Sequence, residues 1–140
     1  MEKQYSVKSV EETWKVAEQF ASELEPRDVV CLEGDLGAGK TTFTQGVGRA
    51  LGVKRAVTSP TFCLVAEHPS PRFLFVHMDL YRLHSPEDVL AIGWEDYLAN
   101  GAVMFVEWAD RAGGLIPPNA RHVSFSFGAA DDERIISFSR

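Results

Sequence analysis

The eight residues Gly34-Asp35-Leu36-Gly37-Ala38-Gly39-Lys40-Thr41 fit the pattern G-x-x-x-x-G-K-[ST], whose chemistry is the holding of nucleotide phosphates. A loop that wraps a phosphate must turn its backbone N–H groups inward, which demands positive φ or a close approach that side chains would block. Gly34, Gly37 and Gly39 meet that need. The expected nucleotide contacts are Asp35, Leu36, Gly37, Ala38, Gly39, Lys40, Thr41 and Thr42. Lys40 supplies a point charge for the β- and γ-phosphates, and the Thr41 hydroxyl is an expected ligand of Mg²⁺. Such a loop also needs an acid at the end of a neighbouring strand to hold the metal or its water. Asp79 and Glu107 both end apolar runs, so both emerge where ligands bind in folds of this kind, unless they are only solvated acids at strand ends.

The flanking sequence supplies the elements that such a loop requires. Val29-Val30-Cys31-Leu32 leads in as a buried strand, and Thr42-Phe43-Thr44-Gln45-Gly46-Val47 leads out with helical spacing. Upstream, Tyr5 to Val7 reads as a short strand and Ser9-Val10-Glu11-Glu12 as a capping box. The helix it opens runs to about Leu24, with Val10, Trp14, Ala17, Ala21 and Leu24 on one face, which makes Trp14 a core residue. Pro26 ends it, and Gly52 ends the helix after the loop.

The segment Ala56 to Phe62 is polar and turn-prone. Cys63-Leu64-Val65-Ala66 and Phe73 to Asp79, on either side of Pro69-Ser70-Pro71, predict a hairpin. Ser85 is an N-cap with Pro86 at the first helical position, and the helical region ends near Asn100-Gly101. Ala102 to Glu107 has the profile of a buried parallel strand. After Pro117-Pro118, His122 to Phe127 alternates, and Asp131-Asp132 turns the chain into Arg134 to Phe138. These elements predict an α/β fold. Residues 1–140 form a single P-loop NTPase domain, with a mixed, mostly parallel sheet flanked by helices and an antiparallel C-terminal strand pair.

With 140 residues, 45% hydrophobic and 24% charged, the chain has the material for one soluble domain and no room for a second catalytic one. A formal net charge of -6 repels polyanions, which disfavours tight RNA or DNA binding by the chain alone. Lys54, Arg55, Arg72 and Arg82 make either a local basic strip or, more simply, solvated surface. Cys31 and Cys63 form no C-x-x-C and read as reduced core thiols. Met1-Glu2-Lys3-Gln4-Tyr5-Ser6 lacks the apolar stretch of a secretory signal, and no run approaches the ~18 residues of a membrane helix. The expected location is cytoplasmic, without membrane contact.

Four segments together carry a resemblance: Gly34 to Thr42, Thr58-Ser59-Pro60-Thr61-Phe62, His77-Met78-Asp79-Leu80-Tyr81-Arg82 and Val106-Glu107-Trp108. In order and spacing they resemble the TsaE (YjeE) family, bacterial P-loop ATPases of tRNA threonylcarbamoyladenosine biosynthesis. The resemblance implies ATP and Mg²⁺ as ligands. Lys40, Asp79 and Glu107 would be the catalytic set, with Thr41 and Glu107 on the metal and Glu107 as the Walker-B-like acid. Asp79 would be a second acid needed for turnover, Thr58 to Phe62 a switch-like loop, and Trp108 a neighbour of the nucleotide. Partners TsaD and TsaB would transfer threonylcarbamoyl to tRNA adenosine, with this chain hydrolysing ATP in their support, slowly when alone, and meeting tRNA only through the complex. The family places Glu two residues after the Glu-Trp pair, where this chain has Asp110.

Three further readings stay open at the level of residues. Thr58 or Thr61 is able to sense a γ-phosphate. His77 either orients water or Asp79, with which it shares a strand face, or packs in the core. Arg82 either stabilises transferring charge or pairs with Glu87 or Asp88. Of the rival functions, a small P-loop kinase acting on a metabolite would need an arginine-bearing lid, and no compact arginine-rich insertion is present. A GTPase would need N-K-x-D, which is absent, although Asp110-Arg111-Ala112-Gly113 matches D-x-x-G. A module that binds nucleotide without chemistry is the remaining class.

Overall fold

The computed structural model describes residues 3–34, 38–54 and 64–139. In chain order the elements are β1 (Lys3–Val7), α1 (Val10–Ser22), β2 (Val29–Gly34), α2 (Lys40–Leu51), β3 (Val65–Pro69), β4 (Leu74–Asp79), α3 (Pro86–Ala91), α4 (Trp94–Ala99), β5 (Val103–Glu107), a 3-10 segment (Ala109–Leu115), β6 (Arg121–Phe127) and β7 (Arg134–Ser139). All seven strands join one sheet in the order β1-β7-β6-β2-β5-β4-β3. The central strands β6, β2, β5 and β4 are parallel. Antiparallel strands close both sides: β3 on β4, and the β6–β7 pair extended by β1.

The continuous apolar runs of β2 and β5 follow from burial on both sheet faces. Alternate residues send Val30, Leu32, Val103, Phe105, Val123 and Phe125 to the face covered by α1 and α2, where Phe20 and Phe43 complete the core. The intervening Val29, Cys31, Met104 and Val106 face Trp94, Leu80, Val89 and Ala112 on the other side. Cys31 is buried, and burial followed by the Glu33 charge pushes its thiol up to about 11, so it is a packing residue and not a nucleophile.

Capping follows the sequence. The Ser9 hydroxyl accepts from the Glu12 N–H at 3.1 Å, and the Glu12 carboxylate accepts from the Lys8 N–H at 3.1 Å. Ser85 accepts from the Asp88 N–H at 3.3 Å. The helical region after it divides in two, because Gly93 takes φ 100 between α3 and α4. At the contact of α1 with α2, a Cβ on Gly46 would lie 2.6 Å from Trp14 Cδ1 and 2.9 Å from Ala17 Cβ, so only glycine permits this spacing. Trp14 is half-buried at this helix contact and not in the core as the spacing predicts, with the Arg49 guanidinium 3.9 Å from its ring centroid, and Val10, expected on the same buried face, is exposed.

Arg72 is engaged with the fold. Its guanidinium donates to the Ala21 and Leu24 carbonyls at the end of α1, which satisfies acceptors the helix leaves open. Arg55, another member of the possible basic strip, lies outside the described residues. No helix among the described residues is long and apolar enough to cross a membrane.

Candidate functional site

The site is built where β2 gives way to α2, at the carboxyl edge of the parallel strands. Gly34 closes β2 at φ 148, and a Cβ there would run into the Phe125 carbonyl oxygen on β6. Gly39 opens α2 at φ 110, where only glycine is unstrained, although a Cβ would meet nothing nearer than Phe125 Cδ2 at 3.9 Å. Phe43 anchors the first turn of α2 with its ring against Phe105 and Phe125. The N-cap is Gly39, which has no side chain to cap the helix, and the positive dipole end of α2 suits an anion. Thr41 stands exposed on that first turn and Thr42 half-buried beside it, while Ala38 is buried. Asp35, Leu36 and Gly37 lie outside the described residues.

Two side chains, Lys40 and His77, converge on the Glu107 carboxylate. The Lys40 ammonium donates to the Gly34 carbonyl at 3.1 Å and lies 3.5 Å from Glu107 Oε1. The other carboxylate oxygen, Oε2, is 2.7 Å from His77 Nε2. Strand register explains the meeting: Glu107 pairs with Leu32 of β2 on one side and with Asp79 of β4 on the other. His77 and Phe105 are also register partners, and alternation puts Glu107 on the same sheet face as Phe105, toward α2. Burial pulls the Glu107 carboxyl upward, but the His77 hydrogen bond and charge, with Lys40 behind them, outweigh it and hold the group below its ordinary value. Glu107 is therefore a carboxylate at neutral pH. His77 is 2% exposed and its Nδ1 is buried without a hydrogen-bond partner, so the ring's polar contact is through Nε2 alone.

Asp79 stands beside Glu107 at the same edge but outside this chain of contacts. Its Oδ1 accepts from the Tyr81 N–H at 3.0 Å, while the Leu80 N–H donates to the Glu107 carbonyl at 3.1 Å and ties the two strand ends together. The carboxylate thus remains at the rim, fixed by a turn that it helps to form. His77 packs in the core and also orients an acid, which is Glu107 on the next strand and not Asp79. Arg82 is exposed and makes no ion pair with Glu87 or Asp88; the latter caps α3 by accepting from the His84 N–H at 3.2 Å.

Trp108 follows Glu107 in the left-handed conformation, φ 58 and ψ 44, and is 46% exposed. Its ring lies 4.9 Å from that of Tyr81, with the Arg111 guanidinium 5.7 Å away. A cleft of about 440 Å³ opens beside Lys40, lined by Gly34, Glu33, Trp108, Asp110 and His122 among others. Asp110 is exposed at that wall, in the 3-10 segment. Thr58, Thr61 and the rest of the loop expected to respond to nucleotide lie outside the described residues. The donors suit a hard cation that also binds phosphate: oxygens from Thr41 and Glu107, with no group of three metal-ligating side chains among the described residues to hold an ion unaided.

The family model for the threonylcarbamoyl adenosine biosynthesis protein TsaE matches residues 7–136. The chain belongs to the TsaE family. A TsaE of Bacillus subtilis is 40% identical over 129 residues, 92% of this chain and 80% of that protein. A TsaE of Aquifex aeolicus is 43% identical over 103 residues, 67% of this chain and 77% of that one. A crystal structure of Bacillus subtilis YdiB superposes with a TM-score of 0.81 at 35% identity, covering 99% of this chain and 84% of that one. TsaE membership agrees with the motifs that first suggested it, and it places the chain among P-loop proteins of threonylcarbamoyl adenosine biosynthesis. The sequence reading missed one partner at this edge: the acid that His77 grips. Strand alternation was the available signal, but it does not say which strands are neighbours.

Proposed function

We propose that residues 1–140 act as one cytoplasmic P-loop ATPase domain that binds ATP with Mg²⁺ and hydrolyses it in support of threonylcarbamoyl transfer to tRNA adenosine. The observation that carries this reading is the Lys40 ammonium, held between the Gly34 carbonyl and the Glu107 carboxylate at the start of α2. In this reading the backbone of residues 35–39 and the first turn of α2, with Thr41 and Thr42, cradle the phosphates. Lys40 neutralises the transferring phosphoryl group. Thr41 and Glu107 hold the Mg²⁺, which when bound screens phosphate charge and orients the triphosphate.

His77 keeps Glu107 ionised and pointed, and Asp79 is available at the rim for turnover. Trp108 walls the phosphate end of the cleft. The transferase subunits TsaD and TsaB are the proposed partners, and the isolated chain turns over slowly.

Phosphate release from Mg-ATP, measured for the chain alone and with TsaD and TsaB, tests the reading. Slow release that rises with the partners is the expected outcome. Equal rates with and without them would remove the coupling. Transfer of the γ-phosphate to a metabolite instead of water would turn the assignment to a kinase.

A further inference from the structure

The sheet runs two strands beyond β6, and α1 does not fully cover them. α1 sits close against α2 at Gly46, and on its other flank Val16, Gln19 and Glu23 stand off from β1 and β7 across a cleft of about 370 Å³. That size falls in the lower part of the roughly 300–1,000 Å³ spanned by small-molecule sites. The cleft lies beside Arg121, at the amino end of β6, whereas the phosphate loop begins level with Phe125, about 13 Å further along the strand. No step of the proposed function uses it.

Strand alternation sets its floor. Val7 of β1 is in the core beneath α1, so Tyr5 and Lys3 share that face. Register places Lys3 against Phe138 of β7, and Phe138 against Val123 of β6. The Tyr5 and Phe138 rings meet at 5.7 Å and 82°, and Phe138 stacks 5.1 Å from Phe20 behind it. Tyr5 and Phe138 are both only half-buried, so ring surface is left open to the cleft. Two rings near a right angle offer a third flat ring a face and an edge at once, the arrangements that aromatic groups prefer.

The charges that line the cleft are unevenly placed. Glu23 and Arg121 lie 3.6 Å apart and offset each other at its inner end. Lys3 is exposed at the rim and has no carboxylate within ion-pair distance among the described residues. An apolar, aromatic corner with one uncompensated ammonium beside it suits a flat body that carries a single anionic head.

We propose that this cleft is a binding site for a small aromatic carboxylate, its ring lying in the corner of Tyr5 and Phe138 and its carboxylate meeting the Lys3 ammonium. The site is separate from the phosphate loop and does not rest on it.

Phenylacetate is the probe, titrated into the ¹⁵N-labelled chain with the amide spectrum as readout, and phenylacetamide is its uncharged counterpart. Saturable shifts confined to β1, β7 and the second half of α1 are expected, with a dissociation constant of about 1 mM. Lys3→Gln should weaken phenylacetate about fourfold, the worth of one exposed charge contact, and leave phenylacetamide unchanged. Gln19→Trp, which places an indole at the mouth of the cleft, should weaken both ligands at least about tenfold; the dispersion of each variant's spectrum records that it is folded. Absence of saturable shifts, shifts centred on the cleft beside Lys40, or parent-like binding by Gln19→Trp would overturn the site. Equal effects of Lys3→Gln on the two ligands would overturn its assignment to a carboxylate. None of these readouts needs nucleotide, so their failure leaves the phosphate-loop reading where it stands.

Discussion

Two cations in this molecule sit among carboxylates at opposite ends of β-strands, and they are built to different purposes. At the start of β6, Arg121 lies 3.6 Å from Glu23 and 3.6 Å from Asp28, donates to the Glu23 carbonyl at 3.1 Å and stacks 5.6 Å from the Phe20 ring. Its partners come from the end of α1 and the approach to β2, so it pins three pieces of chain together. At the other end of the sheet, Lys40 has one backbone carbonyl at 3.1 Å and one carboxylate at 3.5 Å, beside the start of α2 and an open cleft. The arginine's contacts tie down neighbouring chain, whereas the lysine's are few and face a cavity. The difference separates a cation that holds the fold from one that, in the proposed function, meets the phosphates.

Substitutions should split along that line. The largest effect is expected for Lys40→Ala, which should cut ATP hydrolysis on the order of 10³-fold, as loss of a key charge contact does, with the melting temperature near that of the parent. A variant that hydrolyses at the parent rate would remove the contrast altogether. Glu107→Gln keeps a hydrogen-bond partner for His77 but loses the charge that faces Lys40 and the metal. A fall of about 10²-fold in turnover, with Mg-ATP affinity kept within a few-fold, is the expected pattern, read by single-turnover hydrolysis and titration calorimetry.

Arg121→Ala should behave in the opposite way. It gives up a helix-end hydrogen bond and a ring contact, for about 1–2 kcal/mol of stability by denaturant titration, and nucleotide binding should stay as it was. Loss of binding without loss of stability would mean that the two clusters are not functionally separate.

The smallest effect concerns acid. Because the Glu107 carboxyl is held below its ordinary value of 4.5 in the folded chain, its contribution to stability is complete above that pH and is lost as pH falls through and beneath it. Denaturant titrations at pH 7 and pH 4 should show the parent losing this part of its stability and Glu107→Gln lacking it. Identical pH dependence in both would deny the coupling of Glu107 to His77 and Lys40.

Much of this was legible in the sequence wherever local chemistry decides structure. Glycines at 34 and 39, the hydroxyl caps at Ser9 and Ser85, and the apolar runs ending in Asp79 and Glu107 each state their element directly. What depended on strand neighbours was not legible. The bond between His77 and Glu107 spans thirty residues of chain and exists only because β4 and β5 are adjacent. Arg121 likewise gathers Glu23 and Asp28 from nearly a hundred residues away. The 3-10 segment from Ala109 to Leu115 escaped notice because its Gly113-Gly114 pair and mixed residues carry no helical period.

The missing side chain at Gly46 has a mechanical consequence. With Trp14 and Ala17 filling the space where a methyl group would stand, α1 and α2 are seated too closely for either to roll or slide over the other. A helix pair so clamped moves as one rigid piece if it moves at all.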